Sequence, residues 1–281
     1  MGLPLYLNGM YAHPSFLVIG AKKAGTTWLY DVLKQHPDIW LTPKKEMLVN
    51  FFFDPLLVNH YRKIYFDQLK AGQFMDKAMT EDPGTLAFIN HYFDNVQPDM
   101  NWYRRCFTDF SGGRVTGDID PNLYILPQQR INELATVFPN MKVMLILRNP
   151  AKRGWSHLKM TLTKRFGEEA TKLTPKDLRL VMSDPTIVKL SEFSAMVPLW
   201  QDAFQDRLLL SSYDQLCLHP KDFISQTLAH IGVEDRAISA PASNVGVKWS
   251  MPEELKDMLP AFYKKELDYL QNLLPALTFN L

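Results

Sequence analysis

The stretch 16-FLVIGAKKAGTTWLYDVLK-34 decides the fold. Phe16 to Gly20 is a short apolar run ending at glycine, the pattern of a buried strand, and Thr26 to Lys34 carries helical spacing until "QHPD" stops it. The same alternation returns twice. The run 142-KVMLILRNP-150 reads as a second buried strand ended by Asn149-Pro150, with a helix from Pro150 to about Lys164. A third strand, 207-RLLLSSY-213, leads through a loop from Asp214 to Pro220 into a helix over 221-KDFISQTLAHIG-232 that closes on glycine. Strands alternating with helices predict an α/β fold, a P-loop-like parallel sheet flanked by helices on both faces, in one domain over residues 1–281. In such a sheet a ligand binds at the loops that follow the carboxyl ends of the strands.

Between about Pro55 and Gly113 there is no strong strand, and the aromatic-rich sequence reads as a mostly helical insertion lining a substrate cleft. The tail, residues 252–274, reads as a helix broken near Pro260, with Phe262, Leu267, Leu270 and Leu274 turned to the core. A chain of 281 residues with 46% apolar content fills a sizeable core. Its 31 Lys and Arg against 30 Asp and Glu leave a formal charge of +1, so no whole-molecule field attracts nucleic acid or a membrane, and any anion site is local. Cys106 and Cys217 have no Cys/His spacing that would hold zinc, and a reducing compartment is expected. No window reaches the roughly 18 apolar residues of a membrane span, and the first residues lack a signal-like pattern. A soluble, cytoplasmic protein without a nucleic-acid or membrane partner is the expectation.

The loop "GAKKAGTT" puts backbone N–H groups at a helix N-terminus, where unsatisfied donors and partial positive charge suit a phosphate. A Walker loop reads G-x-x-x-x-G-K-[ST]; here Gly20 and Gly25 keep the gap, but Thr26 stands where the lysine belongs and Lys23 precedes the second glycine. Lys23 is thus placed to reach the terminal group of an anionic ligand, with Thr26 and Thr27 donating to phosphate oxygens. No residue pair for magnesium is evident. Arg148, at a strand end, offers a planar fork of donors for a second phosphate, and Ser156, two turns into the next helix, can add a hydroxyl.

These two motifs, in this order, resemble those of sulfotransferases that use 3′-phosphoadenosine 5′-phosphosulfate (PAPS), in their glycosaminoglycan-type and bacterial branch. "KAGTTWL" is similar to the 5′-phosphosulfate loop, and 145-LILRNPAKRGWSHLKM-160 to the 3′-phosphate motif. A looser likeness covers 208-LLLSSYDQLCLHPKDFISQTLAHIGV-233. The resemblance implies that Lys22, Lys23, Ala24, Gly25, Thr26, Thr27 and Trp28 cradle the phosphosulfate. It gives the 3′-phosphate to Arg148 and Ser156, sets Tyr213 near the nucleotide, and brings Lys248, in a short counterpart of the covering loop 243-SNVGVKWSMP-252, near a phosphate.

It further implies sulfuryl transfer to a hydroxyl of a small-molecule or glycan acceptor without a metal, with Lys23 neutralising the leaving phosphate and a base taking the acceptor's proton. In 44-KKEMLVNFFFD-54 that base is Glu46, although Met47 to Asn50 stand before the Phe run; His36 and His157 are rival bases. In 117-GDIDPNLYI-125, similar to another segment of that branch, Asp118 and Asp120 are expected to touch the acceptor or orient Lys23, and Ile119 replaces a lysine that some heparan-modifying members carry. Phe51, Phe52, Phe53, Tyr92, Trp102 and Tyr103 are candidates for the acceptor cleft or the core. A P-loop small-molecule kinase and a non-catalytic nucleotide-binding protein remain as alternatives.

Overall fold

The structure, a computed structural model, describes residues 14–47, 63–67, 70, 83–94, 100–236, 238 and 249–275. Five parallel strands form one sheet in the order β2-β3-β1-β4-β5. They are β1 (Phe16–Gly20), β2 (Ile39–Leu41), β3 (Val115–Ile119), β4 (Lys142–Leu147) and β5 (Leu208–Ser212). Successive side chains of a strand point to opposite faces, so the burial of all of β1, and of β4 from Val143 onward, means that both faces of the sheet are covered. The expected fold class is the observed one.

The helices are α1 (Thr26–Leu33), α2 (Pro83–Phe93), α3 (Met100–Thr108), α4 (Gln128–Val137), α5 (Pro150–Phe166), α6 (Pro175–Met182), α7 (Pro185–Lys189), α8 (Phe193–Phe204), α9 (Tyr213–Leu218), α10 (Pro220–Ile231), α11 (Glu253–Phe262) and α12 (Lys264–Leu273). Helix α1 packs Trp28 edge-on against Phe223 of α10, with ring centroids 6.3 Å apart. Helix α8 packs against both α4 and α12. There Glu266 of α12 caps α8, its carboxylate accepting from the Ser194 N–H at 2.7 Å and the Ser194 hydroxyl at 2.8 Å. Helices α2 and α3 clasp Trp40 of β2 between Phe88 and Phe107, both edge-on at about 6 Å.

Three local features differ from the reading of the sequence. Strand β2 follows α1 directly where only a helix stop is legible. The expected loop from Asp214 contains α9, whose N-cap Ser212 accepts the Gln215 N–H at 3.0 Å. In the tail the break falls at Tyr263, which is buried, while Pro260 stays inside α11 and Phe262 is half exposed rather than in the core.

From β1 the chain goes to one side of the sheet for β2 and β3, then to the other for β4 and β5. The direction reverses between β1 and β4, the crevice where open α/β sheets bind ligands. Both phosphate motifs start there, at the ends of those two strands.

Candidate active site

The β1–α1 loop turns on two left-handed residues, Lys23 (φ 71°) and Gly25 (φ 89°). Gly25 is the N-cap of α1. Its φ is one that side chains rarely adopt, and a Cβ on it would also lie 2.9 Å from Leu216 Cδ1 of α9, so the turn calls for glycine. The first turn of α1, Thr26, Thr27 and Trp28, lines the cleft, the end of a helix where backbone N–H groups are available to an anion. Ala24 is fully buried beneath the loop, its N–H donating to the Ala21 carbonyl at 3.0 Å, so its side chain supports the turn and does not line the cleft.

Across the crevice, Asn149 caps α5, its Oδ1 accepting from the N–H groups of Ala151 (2.9 Å) and Lys152 (3.2 Å), with Pro150 at the first helical position. This junction holds Arg148 between strand and helix. The guanidinium stacks 4.1 Å above the Tyr213 ring, and Nη1 donates to the carbonyl of Lys23, so one side chain joins the two phosphate motifs and α9. Among the described residues its buried Nε–H has no partner. An unpaired buried donor on a cation is costly unless an acceptor reaches it, and a phosphate oxygen fits that position.

The cleft between these parts measures about 1240 Å³. Lys22, Lys23, Gly25, Thr26, Thr27, Trp28, Glu46, Arg148, Ser156 and Tyr213 all line it. Lys248 lies outside the described residues, as do Phe51, Phe52 and Phe53, while Trp249, Ser250 and Met251 close one wall. Lys45, Lys152, Lys159 and Lys164 also face the cleft, and none was singled out by motif. Lys45 Nζ donates to the Thr27 hydroxyl at 2.9 Å, which sets a second ammonium over the loop. Burial, then the charges of Arg148, Lys22, Lys164 and Lys159, hold the Lys23 ammonium below the usual lysine range. Such crowding favours a polyanion in the cleft.

Glu46 also has a left-handed backbone (φ 67°) and points its carboxylate to Asn122 Nδ2 at 3.1 Å. The rival histidines are differently placed. His36 is held by main chain on both nitrogens, the Glu234 carbonyl at 3.0 Å and the Asp38 N–H at 3.1 Å, and does not line the cleft. Burial, reinforced by Arg153, Lys22 and Lys23, pushes His157 down to about 3, so its imidazole is neutral and a poor proton acceptor. Tyr92, Trp102 and Tyr103 belong to the core.

Asp118 and Asp120 are both fully buried. Neither orients Lys23, whose ammonium reaches Met160 Sδ at 3.6 Å. Asp118 accepts the Tyr103 hydroxyl at 3.2 Å and lies 3.5 Å from the N–H of Met47, pinning the segment that bears Glu46. Burial and the neighbouring Asp120 charge push the Asp118 carboxyl up to about 7. An aspartate in an unfolded chain titrates near ~3.9. Between these values the folded protein keeps a proton that the unfolded chain has released, so stability falls as pH rises through the window and levels off above it. Asp118→Asn should flatten this decline. Urea unfolding at pH 5 and pH 8 measures it, and an equal decline in variant and wild type would assign the titration to another group.

Among the described residues no helix is long and apolar enough to cross a membrane. A family model described as "Sulfotransferase family" matches residues 14–237. The human heparan sulfate glucosamine 3-O-sulfotransferase 6 is 24% identical over 168 residues, covering 59% of this chain and 36% of that protein. The chain thus spans about a third of the length of that curated relative. In fold it is similar to a sulfotransferase from Alicyclobacillus acidocaldarius (TM-score 0.61, 22% identity, 93% of this chain and 96% of that one). It is also similar to the sulfotransferase domain of the Synechococcus PCC 7002 olefin synthase (TM-score 0.58, 12% identity, 91% and 96%). The family match begins just before β1 and runs through both phosphate motifs to the end of α10, and on that ground the chain belongs to the sulfotransferase family.

Proposed function

We propose that the protein transfers a sulfuryl group from PAPS to a hydroxyl of a carbohydrate, lipid, polyketide or other small alcohol. The observation that carries this reading is the meeting of the Lys23–Thr27 loop, Arg148 and Glu46 in one cleft at the β1/β4 switch point. The donor supplies an activated sulfuryl group between a phosphate leaving group and the incoming oxygen. The first-turn N–H groups of α1, with Lys22 and Lys23, bind its 5′ end and stabilise negative charge developing on the leaving phosphate. Arg148 and Ser156 hold the 3′-phosphate, Arg148 through the donors left over from Lys23. Tyr213 stacks beneath Arg148, and Lys248, outside the described residues, is assigned to a phosphate by the resemblance alone. Glu46 takes the acceptor's proton as the oxygen–sulfur bond forms, and that proton leaves with the glutamate rather than with the departing nucleotide. The expected helical insertion at about 55–113 falls partly outside the described residues; its described helices α2 and α3 are assigned to the acceptor side, a reading supported by the Tyr103 bond to Asp118 beside the Glu46 segment.

Isothermal titration with 3′,5′-adenosine bisphosphate, against ATP with magnesium, tests the donor half. Micromolar bisphosphate binding with much weaker ATP binding is expected, followed by labelled-sulfate transfer from PAPS in an acceptor screen. A preference for magnesium-ATP would return the loop to kinase chemistry.

A further inference from the structure

Asn122 sits in the turn after β3, far in sequence from both the loop and Glu46, and its amide is fully engaged. The backbone N–H of Asp120 is anchored on the Val18 carbonyl of β1 at 3.0 Å. Asp120 Oδ1 accepts both the backbone N–H and the Nδ2 of Asn122, each at 3.0 Å. The same Nδ2 donates to Glu46 Oε2 at 3.1 Å, and Oδ1 accepts from Lys22 Nζ at 3.0 Å. The amide's orientation follows from these partners. Two carboxylates require the NH₂ end and an ammonium requires the oxygen, so the flipped amide would face like polarity on every side.

We propose that Asn122 is a positioning residue for sulfuryl transfer: it orients the Glu46 carboxylate toward the acceptor and ties that base to Lys22 on the donor loop. The proposal rests on the reading of Glu46 as the base. Its segment turns through a left-handed residue and is held on either side, by the Lys45 bond to Thr27 and the contact of the Met47 N–H with Asp118, but among the described residues the hydrogen bond to the Glu46 carboxylate itself is that of Asn122. A carboxylate accepts a proton well only when a lone pair faces the donor, and the Asn122 bond to Oε2 leaves Oε1 for that task. Of the charged groups around Glu46, Lys44 and Lys45 on its own segment would otherwise draw the side chain toward them, and Asp120 in the turn after β3, with Asp118 on β3 where ionised, would push it away. One planar amide, fixed by Asp120, holds acceptor-side and donor-side chemistry in register.

The test is a double-mutant cycle on the full chain, with Asn122→Leu and Glu46→Gln alone and together, read by single-turnover transfer from ³⁵S-labelled PAPS to glycerol and water. Loss of a hydrogen bond to a charged group should lower the rate about 10- to 100-fold in Asn122→Leu. The bisphosphate affinity should change far less. On the Glu46→Gln background the same replacement should cost nothing further, because its effect passes through the missing carboxylate. An undiminished cost on that background assigns Asn122 a purely structural role and overturns the proposal, as does a wild-type rate in Asn122→Leu beside a slow Glu46→Gln. A wild-type rate in Glu46→Gln instead sinks the reading of the base. Should Asn122→Leu fail to fold, Asn122→Ala, which removes the same amide without adding bulk or charge beside Asp120, enters the same cycle with the same outcomes.

Discussion

Glu46→Gln lowers the rate of sulfuryl transfer by about 10²- to 10⁴-fold, the span of a general base, while binding of 3′,5′-adenosine bisphosphate stays within about twofold. Glutamine keeps the size of the side chain, meets the same left-handed backbone requirement at φ 67°, and can still accept from Asn122 through its amide oxygen. What it loses is a site for the proton. An alcohol is a weak nucleophile until that proton has a destination, so the loss falls on the chemical step and not on donor binding. Single-turnover transfer of labelled sulfate gives the rate, and titration calorimetry gives the affinity. A wild-type rate would remove Glu46 from the chemistry; a parallel fall in nucleotide affinity would mean that the residue supports the donor site instead.

The residues legible in the sequence are those whose function depends on neighbours along the chain. β1 and β4 are continuous apolar runs closed by Gly20 and by Asn149-Pro150, so strand ends, helix starts and the residues at those junctions can all be read off. β2 escapes because Ile39–Leu41 is too short to show a period, and α9 because six residues starting directly from a strand are too few to establish one. At the site the division is the same. Lys23, Gly25, Arg148 and Ser156 belong to local motifs. Asn122 bonds to residues 100 and 76 positions away, and only folding β3 beside β1 brings those partners together. Lys45 was within reach, since it stands beside Glu46 in "KKE"; its role depends on reaching Thr27, which no local pattern expresses. The buried Asp118 shows the converse limit. Its sequence context suggests a residue that meets substrate, whereas its packing makes it a brace for the segment carrying Glu46.

Arg148→Ala should weaken bisphosphate binding by about 10²- to 10³-fold, corresponding to two charge-assisted hydrogen bonds lost from a partly desolvated site. Transfer at saturating donor should fall much less, because the reacting atoms lie at the other end of the nucleotide. The informative comparison is Arg148→Lys. Arg148 performs three tasks with one rigid plane: it lies 4.1 Å over Tyr213, donates Nη1 to the Lys23 carbonyl, and keeps Nε and the remaining N–H groups for an anion. A lysine retains the charge but has a single donor centre on a flexible stem, so satisfying the Lys23 carbonyl draws it from the phosphate, and meeting the phosphate releases the loop. Lysine is therefore expected to recover a minor part of the lost affinity. Full recovery would show that the cleft needs a point charge at this position, and the coupling of the two phosphate motifs through one guanidinium would have to be abandoned. Unchanged affinity in Arg148→Ala would go further and place the 3′-phosphate elsewhere, with Lys152 and Lys159 on the same wall of the cleft as the groups to test next.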